Sequence, residues 1–203
     1  VRHRTPNGRV FLAANLFYSD YDDYQLFVDK QVPPAPPLNV TQAGRVFNVD
    51  DVRTFGLEAT TAYQVTDNLL INGTLGLLNT DVGDLGQEVA DFTGGLNVSG
   101  NELPFAPSVT LGIGFDYQVS PRFNIGGQIN YTGSYFSTIN NQPQFEVGDF
   151  AIVDIRGSYV LNDRVEFYGY VNNIFDTLAE TSVGGPGGTF GSVTPPREIG
   201  FGL

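Results

Sequence analysis

The chain has no cysteine, no methionine and no tryptophan, and it has a single histidine, His3. Without cysteine it can form no disulfide, no thiolate metal site and no thiol nucleophile. A zinc centre of the usual kind or a Ser–His pair would have to use His3, which lies in a polar stretch close to the first residue. The composition therefore excludes cysteine-based sites and argues against His3 as a catalytic residue, and we expect a protein that is not an enzyme, with no metal site and no cofactor.

Basic residues are also scarce, because 10 Lys and Arg stand against 22 Asp and Glu, which gives a net charge of −12. Nucleic-acid binding needs a basic surface, so the composition argues against nucleic acid, and we expect no nucleic-acid partner. No apolar run reaches the roughly eighteen residues of a transmembrane helix. The first residues, Val1 to Arg4, do not resemble a signal peptide. For an exported protein, we therefore expect this chain to be a fragment of a longer precursor.

What the sequence does have is strict alternation, which is clearest between residues 109 and 170. From Val109 to Val119 every odd-numbered residue is apolar and every even-numbered residue is small or polar. Successive side chains of a strand point to opposite faces, so this pattern predicts a strand with two unlike faces. The same pattern predicts further strands at about 123–135, 153–159 and 165–171.

Similar but weaker alternation extends over the rest of the chain. It predicts further strands at about 9–29, 45–64 and 69–79 and from 197 onward. Short polar turns are expected at 65–68, 120–122 and 161–164, and long loops at 31–43, 80–104, 136–148 and 176–195. The first of these loops contains four prolines, which a regular strand does not tolerate. The result is an all-β chain of about eight strands without a helix.

Alternation alone does not say which face is the inside. In a soluble sandwich the apolar face is the core, whereas in an antiparallel transmembrane β-barrel it faces lipid. The membrane barrel is favoured because the polar faces carry no lysine and because short turns alternate with long loops. Aromatic residues also cluster near strand ends, where an interfacial girdle would lie: Tyr117, Phe123, Tyr131, Tyr135 and Tyr159. A soluble β-sandwich remains the alternative.

Several short motifs resemble those of TonB-dependent outer-membrane receptors. Residues 100–107, Gly-Asn-Glu-Leu-Pro-Phe-Ala-Pro, resemble the segment that leads into a late barrel strand of that family. Residues 170–176, Tyr-Val-Asn-Asn-Ile-Phe-Asp, and residues 195–203, Pro-Pro-Arg-Glu-Ile-Gly-Phe-Gly-Leu, are similar to two C-terminal motifs. Two departures are that the chain ends on Leu203 rather than an aromatic residue, and that Thr-Leu-Ala follows Asp176. Phe17-Tyr18, followed by Tyr21 and Gln25, and the segment 44–58, through Gly56 and Glu58, also resemble the family. Together the motifs extend over nearly the whole chain in the family's order.

The resemblance implies that residues 1–203 are the C-terminal part of a roughly 22-stranded barrel, without the plug domain and the TonB box. It implies an active transporter of the Gram-negative outer membrane that imports a scarce nutrient, for which a ferric siderophore is our expectation. Its partners would be outer-membrane lipid, the TonB complex and the small-molecule ligand. The alternative is a complete small eight-stranded barrel with an adhesion or structural role.

The resemblance also implies where a ligand would be bound, namely by the extracellular loops and by the polar lumen face. Aromatic rings and amides there could stack on a chelate and donate hydrogen bonds to it. The expected contacts are the loop residues Phe136, Asn140, Asn141, Gln142 and Phe145 and the lumen residues Tyr168, Tyr170 and Asn172. The alternative is that these residues only fill the loop and the lumen wall.

Two groups of charged residues also suggest a role. Asp154 and Arg156 share the lumen face of one strand, with Glu166 on the next, so they could form a charged conduit or, as we favour, ion pairs with the plug. The acidic residues of the long loop could bind Ca²⁺, but their spacing matches no known calcium loop, so a solvated acidic loop is the expectation. They are Asp81, Asp84, Glu88 and Asp91.

Overall fold

A computed structural model describes residues 1–31, 42–95, 97–185 and 190–203. Within them the chain forms strands, one short α-helix, α1 (Gly86–Thr93), and a 3-10 turn at Pro143–Phe145. The strands are β1 (Arg2–Arg4), β2 (Val10–Tyr21), β3 (Tyr24–Gln31), β4 (Gln42–Val49), β5 (Val52–Thr66), β6 (Leu69–Val82), β7 (Val109–Ser120), β8 (Phe123–Thr132), β9 (Tyr135–Phe136), β10 (Glu146–Val147), β11 (Phe150–Asn162), β12 (Val165–Asn172), β13 (Glu180–Gly184), β14 (Phe190–Val193) and β15 (Glu198–Gly202). The all-β prediction is confirmed.

Nine of these strands form one antiparallel sheet, in the order β1-β2-β5-β6-β7-β8-β11-β12-β15. We call it the sheet wall. Two-residue turns at 67–68, 121–122 and 163–164 connect its strands at one end. The long connections, residues 22–51, 83–108, 133–149 and 173–197, all leave from the other end. The predicted alternation of short turns with longer connections is therefore confirmed, except that most of the predicted proline-rich loop at 31–43 lies outside the described residues.

The two faces of the sheet wall differ as the alternation predicts. On β7 the apolar side chains from Leu111 to Val119 are 37–48% exposed, and Leu16 on β2 is 79% exposed. A soluble protein would cover such a face with a second layer. An apolar face of this extent, left open along strand after strand, is the lipid-facing surface of a membrane barrel wall. The transmembrane β-barrel prediction is confirmed, and the soluble sandwich is set aside.

The sheet wall does not close on itself. β1 and β15 stand at the two ends of the strand order, and no backbone pairing joins them within the part of the chain that the structure describes. Among the described residues β15 pairs with β12 alone, from Tyr168↔Gly202 to Asn172↔Glu198. A closed eight-stranded barrel would require pairing between the first and last strands. The small complete barrel considered above is therefore not the structure that this chain forms.

The hydrophobic core lies mostly among the long connections, and it includes two residues of the sheet wall, Val52 and Val82, at the loop ends of β5 and β6. We call these connections, residues 22–31, 42–51, 83–95, 97–108, 133–149, 173–185 and 190–197, the loop cap. In its largest cluster the β3–β4 hairpin and α1 pack against the ends of β5 and β6 that adjoin the long connections. The buried members are Leu26, Val28, Phe47, Val49, Val52, Val82, Val89, Val98, Leu103 and Ile139. The loops therefore fold into a packed structure of their own above the wall.

One correction concerns the first two predicted strands, which do not run continuously into the hairpin. Both are interrupted at the same level, at Asp22-Asp23 and at Asp50-Asp51. Asp23 and Asp51 have φ of 57° and 58°, and the Asp23 N–H donates to Asp50 Oδ1 at 3.2 Å. Asp adopts this left-handed conformation more readily than most residues because its short polar side chain can form local hydrogen bonds. The paired breaks separate the β3–β4 hairpin from the sheet wall.

A second correction is α1, since the sequence predicted no helix. Leu85, Val89 and Phe92 are spaced for one helical face, and all three pack into the core of the loop cap. Gly94, with φ of 78°, ends the helix, and its N–H donates to the Ala90 carbonyl. No helix among the described residues has the length and apolar character needed to cross a membrane.

Candidate functional site

The polar face of the sheet wall holds a cavity of about 630 Å³, whose lining extends from the short β5–β6 turn to Asn172 at the loop end of β12. We call it the wall cavity. Most of the residues that line it have polar side chains, among them Gln64 and Asn68 at the β5–β6 turn. Its charged lining residues are Asp67, Asp116, Asp154 and Arg156. The lumen face of this wall therefore presents fixed polar and charged groups, which is the opposite of its lipid face.

The centre of the wall cavity is an ion pair that spans a glycine. Asp116 and Arg156 both lie opposite Gly126 in the strand register. A Cβ at Gly126 would lie 2.9 Å from Asp116 Oδ1 and 3.0 Å from Arg156 Nε. Because Gly126 has no side chain, the guanidinium reaches across β8 and binds the carboxylate. Both side chains remain about half exposed, at 55% and 50%.

Asp154, which shares this face, is also hydrogen-bonded, once within the sheet wall and once to the loop cap. Its carboxylate accepts from Gln128 Nε2 at 2.9 Å and from the Asn173 N–H at 2.8 Å. Glu166 is exposed and is not among the residues that line the wall cavity. Among the groups considered for a conduit or for plug contacts, Arg156 is therefore held by Asp116 within the sheet wall, and Asp154 is held by Gln128 of the wall and Asn173 of the loop cap.

The three predicted lumen residues, Tyr168, Tyr170 and Asn172, all line the wall cavity. The two tyrosine rings lie over the glycines of β15. A Cβ atom added at Gly200 would lie 2.2 Å from the Tyr170 ring, and one added at Gly202 would lie 2.4 Å from the Tyr168 ring. The Tyr170 hydroxyl donates to Glu198 Oε1 at 3.0 Å. The structure therefore brings these three residues together and fixes the tyrosines against the last strand.

The predicted loop residues line neither this cavity nor the second one described below. Phe145 is 4% exposed and packs with Tyr135, Val147 and Val183. Asn141 joins two loops, since its Oδ1 accepts the Glu102 N–H at 2.6 Å and its Nδ2 donates to the Glu102 carbonyl at 3.1 Å.

The other predicted loop residues are less buried. Phe136 and Asn140 are half-buried, and Asn140 Oδ1 accepts from the Thr138 hydroxyl at 2.5 Å. Gln142 Oε1 accepts from Gln144 Nε2 at 2.5 Å. Hydrogen bonds between near neighbours therefore order the side chains of this loop.

Tyr135 requires a correction, because the sequence placed it in the interfacial girdle. It belongs to β9, which lies outside the sheet wall, and it is only 8% exposed. The chain leaves the wall at Gly133, whose N–H donates to the Val109 carbonyl at 2.8 Å. The Tyr135 hydroxyl donates to the Thr181 carbonyl at 2.7 Å, and burial raises the pKa of this phenol. Tyr135 is therefore a core residue of the loop cap.

Three of the acidic residues considered for Ca²⁺ each bind a different partner instead of converging on one point. Glu88 Oε1 accepts from Arg45 at 2.6 Å. Asp91 accepts from Gln87 at 2.6 Å, and Asp84 accepts the Gly86 N–H at 2.9 Å. Within the described residues no group of three or more potential ligands is placed to hold a metal ion.

A second cavity, of about 570 Å³, lies within the loop cap, and we call it the cap cavity. Its walls come from the β3–β4 and β13–β14 hairpins and from the loops around residues 104–105 and 137–139. Three phenylalanines line it and remain well exposed: Phe27 at 59%, Phe105 at 59% and Phe190 at 64%. Sequence reasoning missed this site because its residues come from four separate connections, and no local pattern links them.

A wall with one lipid-facing side, one polar side and long loops at a single end is part of an outer-membrane β-barrel. The sequence model of the TonB dependent receptor-like β-barrel matches residues 3–174. The chain belongs to this family, whose members are transporters and receptors rather than enzymes, and it is a protein of the Gram-negative outer membrane.

Individual relatives agree with this assignment. The iron-regulated outer membrane virulence protein of Vibrio cholerae is 25% identical over 179 residues, which cover 81% of this chain and 25% of that protein. The siderophore receptor PiuA of Acinetobacter baumannii has a TM-score of 0.73 at 17% identity, over 98% of this chain and 26% of that one. The ferric yersiniabactin uptake receptor FyuA of Yersinia pestis gives 0.74 at 18%, over 98% and 28%. The chain thus spans about a quarter of the length of these relatives.

Proposed function

We propose that residues 1–203 are the C-terminal segment of the barrel of a TonB-dependent transporter, and that the whole protein imports a ferric siderophore. The observation that carries this proposal is the sheet wall itself, which is apolar outside, polar inside and matched to the family over residues 3–174. The iron-regulated relative and the two siderophore receptors support iron as the cargo. A plug domain and a TonB box elsewhere in the protein would complete the transporter.

In this function the chain performs no bond chemistry, and its residues bind, orient and guide. The loop cap would form part of the outer vestibule, and the wall cavity would form part of the lumen behind it. Tyr168, Tyr170 and Asn172 would contact the plug or the passing ligand, since they line the wall cavity. Phe136 and Asn140 would contact ligand in the vestibule, while Asn141 and Phe145 hold their loop in place.

The test is iron uptake in the native Gram-negative host. Cells with and without the gene are grown under iron limitation, and uptake of radiolabelled iron is measured with each siderophore that the host encounters. We expect deletion to abolish uptake of at least one ferric siderophore, and we expect loss of TonB to have the same effect. Uptake that is unchanged by both deletions for every siderophore would overturn the proposal.

A further inference from the structure

We infer that the cap cavity is a binding site for an uncharged, ring-bearing ferric chelate. This inference rests on the proposed function, because it names the kind of chelate that the transporter would select. A volume of about 570 Å³ falls within the range of small-molecule sites. The inference stands on three features of this cavity, which are its lack of charge, a strained phenylalanine and two further phenyl rings that are held on glycines.

The first feature is that every described residue lining the cap cavity is uncharged. The wall cavity differs, since three aspartates and one arginine line it. A strongly anionic chelate that leaves water needs cations to compensate its charge. The described residues that line the cap cavity offer none, and a net charge of −12 makes the surroundings unfavourable for an anion.

The basic residues of the described loop cap are engaged away from this cavity. Lys30 donates to the Phe92 carbonyl and lies 4.4 Å from the centre of the Phe92 ring. Arg45 binds Glu88 at 2.6 Å, and Arg197 donates to the Ile174 carbonyl at 3.3 Å. The charge distribution therefore favours a ligand with no net negative charge.

The second feature is the backbone of Phe105, which has φ of 58°. Every other non-glycine residue with positive φ in the described chain is Asp or Asn, which tolerate this conformation. A bulky side chain here is strained, and such strain concentrates at functional sites. The Phe105 N–H donates to the Phe136 carbonyl at 2.8 Å, and the ring lies 6.4 Å from the Tyr135 ring while staying 59% exposed. The strained backbone thus presents an aromatic ring to the cap cavity.

The third feature is that Phe27 and Phe190 are each held on a glycine of the partner strand. A Cβ at Gly44 would lie 2.1 Å from Phe27 Cζ, and one at Gly184 would lie 3.0 Å from Phe190 Cε2. Each ring therefore rests against backbone and still exposes more than half of its surface. Rings that are ordered before binding lose little entropy when a flat ligand stacks on them.

Polar groups of the lining suit the acceptor oxygens of such a chelate. Ser182 Oγ accepts the Ser192 N–H at 3.2 Å, and Ser137 Oγ accepts the Val183 N–H at 3.0 Å. No acceptor for either hydroxyl hydrogen is found among the described residues, so both can donate. Rings, donors and an absence of charge together define an uncharged, ring-bearing chelate as the occupant.

The test uses the full-length receptor purified from outer membranes, with three ferric complexes as probes. Ferric benzohydroxamate is neutral and carries phenyl rings, ferric acetohydroxamate is neutral without rings, and the ferric catecholate complex has rings but is anionic. Binding is measured by equilibrium dialysis with radiolabelled iron and excess free chelator. We expect ferric benzohydroxamate to bind at least about tenfold more tightly than either of the others.

Phe105→Ala and Phe190→Ala are each expected to weaken ferric benzohydroxamate binding by roughly five- to tenfold. Phe175→Ala is the matched control, because Phe175 is 73% exposed and lines neither cavity. Phe105→Gly should weaken binding as much as Phe105→Ala while raising the melting temperature, since glycine relieves the backbone strain. That rise separates loss of the ring from loss of the fold.

Equal or tighter binding of the catecholate or acetohydroxamate complex, or unchanged binding by both alanine variants, would overturn the inference. So would the absence of ferric benzohydroxamate binding. None of these results affects the proposed function, which depends on the uptake assay in the native host. If that assay shows no TonB-dependent iron uptake, the proposed function fails whatever the probes show.

Discussion

Ile113 in the sheet wall leaves 48% of its surface exposed, whereas Ile139 in the loop cap leaves 1%. The same side chain thus meets lipid in one region and close-packed protein in the other. In the wall, alternation separates a lipid face from a lumen face, and no core is needed. In the cap, the loops bury their apolar residues against one another, as a soluble domain does. The sheet wall is therefore stabilised in contact with lipid and the loop cap by packing of its own side chains, and mutations can test the two regions separately.

The largest contrast is expected from removing the same atoms in both regions. Ile139→Ala should destabilise the loop cap by about 2–5 kcal/mol, because it leaves a cavity in a packed core. Ile113→Ala should cost about 1 kcal/mol or less, because lipid chains can fill the space. Hydrogen exchange of the cap amides and unfolding of the receptor in lipid vesicles measure the two effects. Equal losses at both positions would show that the wall, too, depends on protein packing.

A lysine should distinguish the two faces of the sheet wall, because it is costly on the lipid face and tolerated on the lumen face. Ile113→Lys places an ammonium in lipid and should cost about 2–4 kcal/mol if the position is near the bilayer centre. Asn130→Lys is the control, since Asn130 is an exposed residue of the polar face and follows Ile129, the register partner of Ile113. It should be nearly neutral. Folding into vesicles, read from heat-modifiable mobility in gels, compares the two variants, and similar yields would contradict the assignment of the faces.

The third prediction concerns pH and the core of the loop cap. The raised pKa of Tyr135 means that the folded cap favours the neutral phenol. Its contribution to stability is therefore complete below the ordinary pKa of about 10 and is lost as the pH rises through the higher folded value. Tyr135→Phe should cost about 1 kcal/mol at neutral pH, because the hydrogen bond to the Thr181 carbonyl is lost.

The same variant should also reduce the loss of cap stability above pH ~10. Protease resistance of the cap across the alkaline range is the measurement. The wild-type protein and Tyr135→Phe should converge as the pH rises. Parallel curves that never approach each other would mean that Tyr135 does not titrate with cap opening.

How much of this could be foreseen depends on whether a feature is local. The wall strands and their faces follow from period-two alternation. Tyr168, Tyr170 and Asn172 are alternate residues of one strand, so the sequence alone predicts that they share the lumen face. Side chains in loops have no such period. The burial of Phe145 and Tyr135 therefore depends on contacts between connections that are distant in sequence.

Two of the missed features did leave signals in the sequence. The break between wall and hairpin is marked by two Asp-Asp pairs, at 22–23 and 50–51, in segments that otherwise alternate. Helix α1 is marked by apolar residues at helical spacing followed by Gly94-Gly95. The cap cavity left none, because Phe27, Phe105 and Phe190 meet only through the fold of the loop cap.

The smallest expected effect is at the ion pair of the wall cavity. Asp116 and Arg156 are about half exposed to the lumen, so water screens their attraction. Arg156→Ala should therefore change the unfolding free energy by less than about 1 kcal/mol, far less than Ile139→Ala in the cap. A double-mutant cycle with Asp116→Ala measures the coupling directly.

A small coupling would have a functional meaning, because groups that contribute little to the wall are free to exchange partners. If the plug of the whole receptor reaches this cavity, it could then compete for Arg156 at little cost to the barrel. Iron uptake by Arg156→Ala would be altered in that case while the barrel remained as stable as the wild type. A coupling well above 1 kcal/mol would instead mean that the ion pair stabilises the sheet wall. The exposure of both side chains argues against that result.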